Sequence, residues 1–118
     1  MARIVLALHA APAATAPAHN RSLLAYNYAQ AALVSGHQID MIFFYADAVL
    51  HAKSPLEHAI VEQWTSLAQA HDIPLVVCNT VAEQQFDLAA DMLVEPFQNG
   101  GLTEFAMAAA AADQVVQL

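Results

Sequence analysis

The chain has 118 residues, of which 58% are hydrophobic and 12% charged, and its formal net charge is −8. This composition excludes intrinsic disorder, because disordered chains carry few apolar residues and many charges. Three basic residues oppose eleven acidic ones, so the chain is not expected to bind nucleic acid directly. The length fits one domain over residues 1–118. The shortage of charged residues predicts that subunit contacts cover part of the surface.

The cysteine content and the N-terminal sequence bear on the compartment. Cys78 is the only cysteine, which excludes an internal disulfide and fits a reducing environment. Residues 4–8 loosely imitate a secretory signal, but this apolar run is short and is followed by His9 and Pro12. No segment approaches the roughly 18 consecutive apolar residues of a membrane span. We therefore expect a cytoplasmic protein without a membrane segment.

The first third of the chain reads as strand, helix, strand. Residues 4–8 are predicted to form a buried strand, and a helix is predicted from about Asn20, as its N-cap, to Ser35. Gly36 supplies a left-handed stop. Residues 39–45 form a second strand, whose continuous apolar run is typical of a parallel sheet covered on both faces. Leu24, Tyr28, Ala31 and Ala32 share one face of this helix.

Two capping-box patterns mark the next helices. The sequence Ser-Pro-Leu-Glu at 54–57 predicts a helix start. Residues 74–78 form a third strand, and the pattern at 80–83 predicts that another helix begins there. Cys78 therefore lies just before a helix N-terminus. The buried stripe of the first of these helices is predicted to contain Leu56, Ile60, Trp64, Leu67 and Ala68.

The last third contains one ambiguous segment. Residues 86–97 fit neither a short helix nor a short strand around 92–94 over enough positions to decide between them. Gly100-Gly101 ends this segment, residues 102–112 are predicted to form an alanine-rich helix, and residues 113–118 a final strand. The residues of this helix predicted to face inward are Leu102, Phe105, Ala106 and Ala109.

Strands that alternate with helices predict an α/β fold with three layers, in which a mostly parallel sheet of four or five strands carries helices on both faces. Ligands and chemistry gather beyond the carboxyl ends of the strands in such folds. Cys78 lies at one of these ends, and a helix N-terminus there favours a thiolate, the nucleophilic form of cysteine. The alternative is that Cys78 is a small buried core residue, as free cysteines usually are.

Several other chemistries lack their partner residues. No arginine follows Arg21 to hold an oxyanion, no second cysteine completes a Cys-x-x-Cys pair, and the loop after the first strand has no glycine to bind phosphate. Tyr45 and His51 follow the second strand and could line the same edge as Cys78, although loop or packing roles are favoured. We expect no cofactor. We also expect no metal, because no two histidines stand four residues apart. The histidines are His9, His19, His37, His51, His58 and His71.

Three motifs make the chain similar to the TusD/DsrE family of sulfur-transfer proteins. Gly36-His37 leads into the Phe-Phe-Tyr sequence at 43–45, Cys78 closes the third strand, and Gly100-Gly101-Leu102 precedes an alanine-rich helix and the ending Asp-Gln-Val-Val-Gln-Leu at 113–118. The resemblance implies a sulfurtransferase in which Cys78 carries a persulfide. It also implies TusB-like and TusC-like partners in a heterohexamer, a TusA-like sulfur donor and a TusE-like acceptor. The implied destination is 2-thiolation of the tRNA wobble uridine.

Other interpretations stay open beside this one. A DsrE-like role in sulfur oxidation, or a homo-oligomer, fits the same resemblance. Residues 79–99 are short for a TusD protein and lack the basic residues often found there, which bears on the choice of acceptor. Two further classes are a noncatalytic assembly subunit in which Cys78 only packs, and a module that binds a small molecule in the strand-end cleft without chemistry.

Overall fold

The computed structural model describes residues 1–12, 18–53 and 59–118. The strands are β1 (Arg3–Leu8), β2 (Gln38–Phe44), β3 (Leu75–Cys78), β4 (Phe97–Gly100) and β5 (Gln114–Gln117). The α-helices are α1 (Ala18–Val34), α2 (Ala59–His71), α3 (Asn79–Phe86) and α4 (Leu102–Ala111). Two 3₁₀ helices lie at Ala46–Ala52 and Ala90–Met92.

The five strands form one sheet in the order β4-β3-β2-β1-β5, and every neighbouring pair is parallel. This confirms the predicted α/β fold, with five strands. Parallel strands require crossover connections, which the helices supply. All five strands consequently end at the same edge of the sheet, and Cys78 lies at that edge.

Successive residues of β2 point to opposite faces and show how the helices are distributed. The ring of Phe44 makes an edge contact with Trp64 of α2, with centroids 5.9 Å apart. The ring of Phe43 stacks on Phe105 of α4, with centroids 4.8 Å apart. Neighbouring side chains of a strand alternate between faces, so α2 and α4 lie on opposite sides of the sheet. The three predicted layers are therefore present.

The helix boundaries correct one capping prediction and confirm another. Helix α1 begins at Ala18, so Asn20 lies within the helix rather than at its N-cap. Helix α3 begins at Asn79 with Cys78 as its N-cap, which confirms a helix start near the pattern at 80–83. The predicted box at 54–57 falls outside the described residues. The predicted stop at Gly36 is confirmed by its φ of +90°, and the four described stripe positions of α2 are buried: Ile60, Trp64, Leu67 and Ala68.

The ambiguous segment contains a short 3₁₀ helix at Ala90–Met92 and the beginning of a strand at Phe97. The 3₁₀ helix agrees with the alternative of a short helix. The alternative of a strand at 92–94 was wrong, although Leu93 forms one isolated bridge with Lys53. Strand β4 extends through Gly100, because its backbone pairs with β3 from Leu75–Phe97 to Cys78–Gly100. The pairing partner, rather than local hydrophobicity, defines this strand.

Helix α4 departs most from its prediction, because none of its residues is buried. Leu102 is 56% exposed and Ala106 is also exposed, so the predicted inward orientation is wrong for both. Phe105 and Ala109 are half-buried. The helical period identified an apolar face, but the chain provides little surface to cover it. Over the described ranges, the helices are all too short or too polar to cross a bilayer.

Candidate functional site

Cys78 occupies two structural positions at once. It is the last residue of β3 and the N-cap of α3, with extended backbone angles of φ −67° and ψ 108°. The change from strand to helix therefore occurs immediately after this residue. The predicted location of Cys78 ahead of a helix N-terminus is confirmed.

The sheet register determines the neighbours of Cys78. Gly100 lies opposite Cys78 on β4. On the other side Phe44 pairs with Val77, and Tyr45 continues β2 with extended angles of φ −123° and ψ 161°. Tyr45 therefore stands next to Cys78 across the sheet. Cys78 lies between a residue with a large aromatic ring and a residue with no side chain.

A cleft of about 580 Å³ opens at this edge of the sheet. It lies between the first turn of α3 and the first turn of α4, so two helix N-termini border it. The first amides of a helix have no partner within the helix, and they carry a partial positive charge. This cleft is suited to a thiolate or another small anion. The residues that line it are Tyr45, Cys78, Asn79, Thr80, Val81, Gly101, Leu102, Thr103 and Glu104.

The thiol itself is almost fully covered. Cys78 is 1% exposed, and its side chain makes no hydrogen bond to the amides of the helix that it caps. Cys78 therefore lines the cleft with almost none of its surface open to solvent. A large reagent or a partner protein reaches this atom only if the first turn of α3 or α4 moves.

Glu104 is the acidic residue of the cleft. Its Oε2 accepts a hydrogen bond of 2.8 Å from the backbone N–H of Gly101, so its carboxylate caps α4. A side-chain carbon at Gly101 would stand 3.3 Å from this Oε2 and 3.3 Å from Asn79 Oδ1. Glu104 is thus held close to the residue that follows Cys78. Among the residues whose side chains the structure describes, no lysine, arginine or histidine lines the cleft.

Aromatic contacts hold Tyr45 in the wall of the cleft. Its ring centroid lies 6.0 Å from that of Phe43 and 5.3 Å from that of His9. Phe43 in turn stacks on Phe105 of α4. These four rings form a continuous series from the end of β1 to α4. Tyr45 therefore lines the same cleft as Cys78, which the sequence analysis named as the less favoured alternative to a loop or packing role.

His51 does not join the site. It is fully buried on the other side of the sheet, where its Nε2 lies 2.9 Å from Ser22 Oγ and its Nδ1 lies 2.8 Å from the carbonyl oxygen of Ala48. Trp64 Nε1 donates to the same serine hydroxyl at 3.3 Å. The favoured packing role of His51 agrees with this network. Over the ranges that the structure covers, no three His, Cys, Asp or Glu side chains are grouped to hold a metal ion.

The α4 side of the cleft was not predicted from the sequence. Gly101, Leu102, Thr103 and Glu104 reach Cys78 because β4 lies beside β3. The sequence signal for this side of the cleft was the glycine pair at 100–101, which precedes helix α4 as Cys78 precedes α3. This signal can be used only if β4 is identified as a strand.

The family comparison covers most of the chain. The profile described as the DsrE/DsrF-like family matches residues 11–118. The sulfurtransferase TusD of Serratia proteamaculans is 37% identical over an alignment that covers 87% of this chain and 93% of that protein. The sulfurtransferase TusD homolog of Aliivibrio fischeri is 36% identical, over 79% of this chain and 83% of its own. These names support the predicted sulfurtransferase activity.

Solved structures share the fold. The ychN protein from E. coli superposes with a TM-score of 0.74 at 23% identity, over 100% of both chains. A protein of unknown function from Methanobacterium thermoautotrophicum, MTH1491, gives a TM-score of 0.78 at 11% identity, over 98% of both chains. At these identities the likeness concerns the fold alone. Together with the family profile and the TusD relatives, it leads to one conclusion, that the chain belongs to the DsrE/DsrF-like family.

Proposed function

We propose that this chain is a sulfur-relay subunit that accepts sulfur as a persulfide on Cys78 and passes it on. The observation that carries the proposal is the place of its only cysteine, at a strand end in the wall of a cleft bordered by two helix N-termini. Relatives named sulfurtransferases, which align over most of the chain, support the same chemistry.

The reaction requires two exchanges at sulfur. The Cys78 thiolate attacks the outer sulfur of a donor persulfide, R-S-SH; a new S–S bond forms, the donor S–S bond breaks, and R-S⁻ leaves. Cys78 then holds the transferred atom as Cys-S-SH. An acceptor thiolate attacks this outer sulfur, takes it as its own persulfide, and releases Cys78 as the thiolate. No electrons are lost or gained overall, so no cofactor is needed.

The surroundings of Cys78 suit each step of this cycle. The partial positive charge at the start of α3 suits the persulfide anion that the relay requires. The burial of Cys78 limits the access of water and small oxidants to a bound persulfide. Because only 1% of the residue is exposed, transfer requires the first turn of α3 or of α4 to move away from Cys78.

The partners that we propose are TusB-like and TusC-like subunits in a heterohexamer, with a homo-oligomer as the alternative. The exposed apolar surface of the last segment supports an oligomer, because α4 buries none of its residues and Met107 is 70% exposed. Monomeric proteins rarely leave such surfaces uncovered. A TusA-like carrier is the proposed donor and a TusE-like carrier the proposed acceptor.

The proposed destination of the sulfur is 2-thiolation of the tRNA wobble uridine, in the cytoplasm. With a net charge of −8, the chain serves as a middle link that passes sulfur between proteins without touching RNA. Sulfur oxidation is the alternative pathway. This alternative is supported by similarity to the putative sulfurtransferase DsrE of Allochromatium vinosum, which is 36% identical over 57% of this chain.

Radiolabelled sulfur tests the proposal directly. The protein is incubated with a cysteine desulfurase, a TusA-like carrier and ³⁵S-cysteine, and bound label is followed on nonreducing gels. We expect label on the chain that dithiothreitol removes, and no label on the Cys78→Ser variant. Failure of a folded wild-type protein to acquire label from a charged carrier would refute the proposal.

The burial of Cys78 favours one competing function, a noncatalytic assembly subunit. Its thiol is covered and makes no capping hydrogen bond, as expected for a structural cysteine. Iodoacetamide separates the two functions. A thiol that reacts only at the rate of global unfolding identifies a structural residue, whereas a faster reaction in the native protein indicates local opening of the cleft.

A further inference from the structure

The charges around the cleft are unbalanced. Glu104 is exposed at its rim, and its carboxylate accepts a hydrogen bond from the backbone N–H of Gly101. Of the three basic residues, Arg3 pairs with Asp40 at 2.9 Å and begins β1, at the sheet edge opposite to that of Cys78. Arg21 belongs to α1, and Lys53 lines a separate hollow with Asp91. None of these cations lines the cleft.

We propose that Glu104 is a specificity-determining residue of this cleft, which selects a carrier protein that presents a lysine or arginine side chain beside its own sulfur-bearing cysteine. The inference rests on the proposed sulfur transfer at Cys78 and adds the chemistry of the partner. A carboxylate at the rim repels incoming anions, including a carrier persulfide without a nearby cation. A carrier with such a cation neutralises Glu104 as its sulfur approaches Cys78.

The position of Glu104 allows its charge to act on a reagent that approaches Cys78. Its carboxylate is held by the cap to Gly101, and a Cβ built at Gly101 would lie 3.3 Å from Asn79 Oδ1, next to Cys78 in the chain. Glu104 and Cys78 line the same cleft, so a reagent that enters the cleft to reach Cys78 encounters this negative charge. Because Glu104 is exposed, water screens this charge, and the effect is expected to be modest.

Three small disulfides of different charge test the proposal. Cystamine carries positive charges, 3,3′-dithiodipropionate carries negative charges, and 2-hydroxyethyl disulfide is neutral. The Cys78 thiolate attacks one sulfur of each, forms a mixed disulfide and releases the other half as a thiolate, which is the same bond exchange as in the proposed relay. Mass spectrometry of the intact protein gives the rate of adduct formation with wild type and with Glu104→Gln.

For each probe, the rate of adduct formation with wild type is divided by the rate with Glu104→Gln. The intrinsic reactivity of the disulfide cancels in this ratio. We expect this ratio to be about fivefold larger for cystamine than for dithiodipropionate, with the neutral disulfide between them. At about 1 M KCl, where charges are screened beyond about 3 Å, the difference should vanish. The glutamine retains an oxygen that can accept the Gly101 N–H, so the cap survives.

Glu62→Gln is the matched control. It removes the same charge from an exposed site on α2, on the other side of the sheet, and all three ratios should stay near one. If Glu104→Gln changes all three probes by one common factor, Glu104 acts only through structure and the selection proposal is wrong. If no probe modifies native wild type at Cys78, the proposed sulfur transfer fails, and the selection proposal fails with it. Equal ratios with a reactive Cys78 overturn the selection alone.

Discussion

Cys78 and Gly100 lie opposite each other in the parallel register of β3 and β4, so the candidate sulfur carrier has a neighbour with no side chain. A Cβ at Gly100 would stand 2.5 Å from Val76 Cγ1, which is too close for any carbon pair. We predict that Gly100→Ala lowers the free energy of unfolding by about 1–3 kcal/mol, as overpacking against a buried side chain such as Val76 does. Urea unfolding followed by circular dichroism measures this change.

The clash makes a second, sharper prediction with Val76→Ala. That substitution removes the methyl group that a new Cβ at Gly100 would meet. The double variant should therefore lose less stability than the two single variants added together. Strict additivity would mean that the strain at Gly100 has another origin.

Gly36 provides a case in which backbone conformation alone decides the outcome. Its φ is +90°, and a Cβ there would meet no heavy atom within 4 Å. It ends α1 with hydrogen bonds from Gly36 N to the Leu33 carbonyl and from His37 N to the Ala32 carbonyl. Gly36→Ala should cost about 1–2 kcal/mol through the left-handed conformation. Gly36→Asn should cost less, because asparagine tolerates this region; equal costs would contradict the explanation.

The network around Ser22 should matter for stability and not for sulfur chemistry. Its buried hydroxyl meets both His51 Nε2 and Trp64 Nε1. Ser22→Ala should destabilise the protein by about 1–3 kcal/mol, because it removes the partner of two buried polar groups. The exposed Ser35→Ala should change stability by less than about 0.5 kcal/mol. The alkylation rate of native Cys78 should be the same in both variants, and a change confined to Ser22→Ala would link this network to the cleft.

The parts of the fold that were predicted correctly carry a local hydrophobic signal. Strands β1, β2 and β3 are buried along most of their length, so their apolar runs reveal them. Strand β4 has the sequence Phe-Gln-Asn-Gly, and only Phe97 is buried. Its extended state arises from pairing with β3, and a distant partner cannot be read from four residues.

The candidate site also contains residues that local sequence identifies and residues that only a distant strand pairing brings there. Cys78 was identified because a strand end and a helix start adjoin it in the sequence. Glu104 was missed because it reaches the cleft only after β4 has docked beside β3. Leu102 was assigned inward from the helical period, which identifies an apolar face but not the surface that covers it. The described part of the chain provides no surface that covers Leu102, which stays exposed.

Phe105 is the contact through which α4 should control access to Cys78. Its ring stacks on Phe43 with centroids 4.8 Å apart, although α4 has no buried residue. Phe105→Ala should lower stability by about 1–3 kcal/mol, less than at a fully buried site. It should also speed the iodoacetamide reaction of native Cys78 several-fold, because the α4 wall of the cleft loosens. Met107→Ala, at a position 70% exposed on the same helix, should alter neither quantity. A less stable Phe105→Ala protein whose Cys78 reacts at the wild-type rate would show that another element, such as α3, covers the thiol.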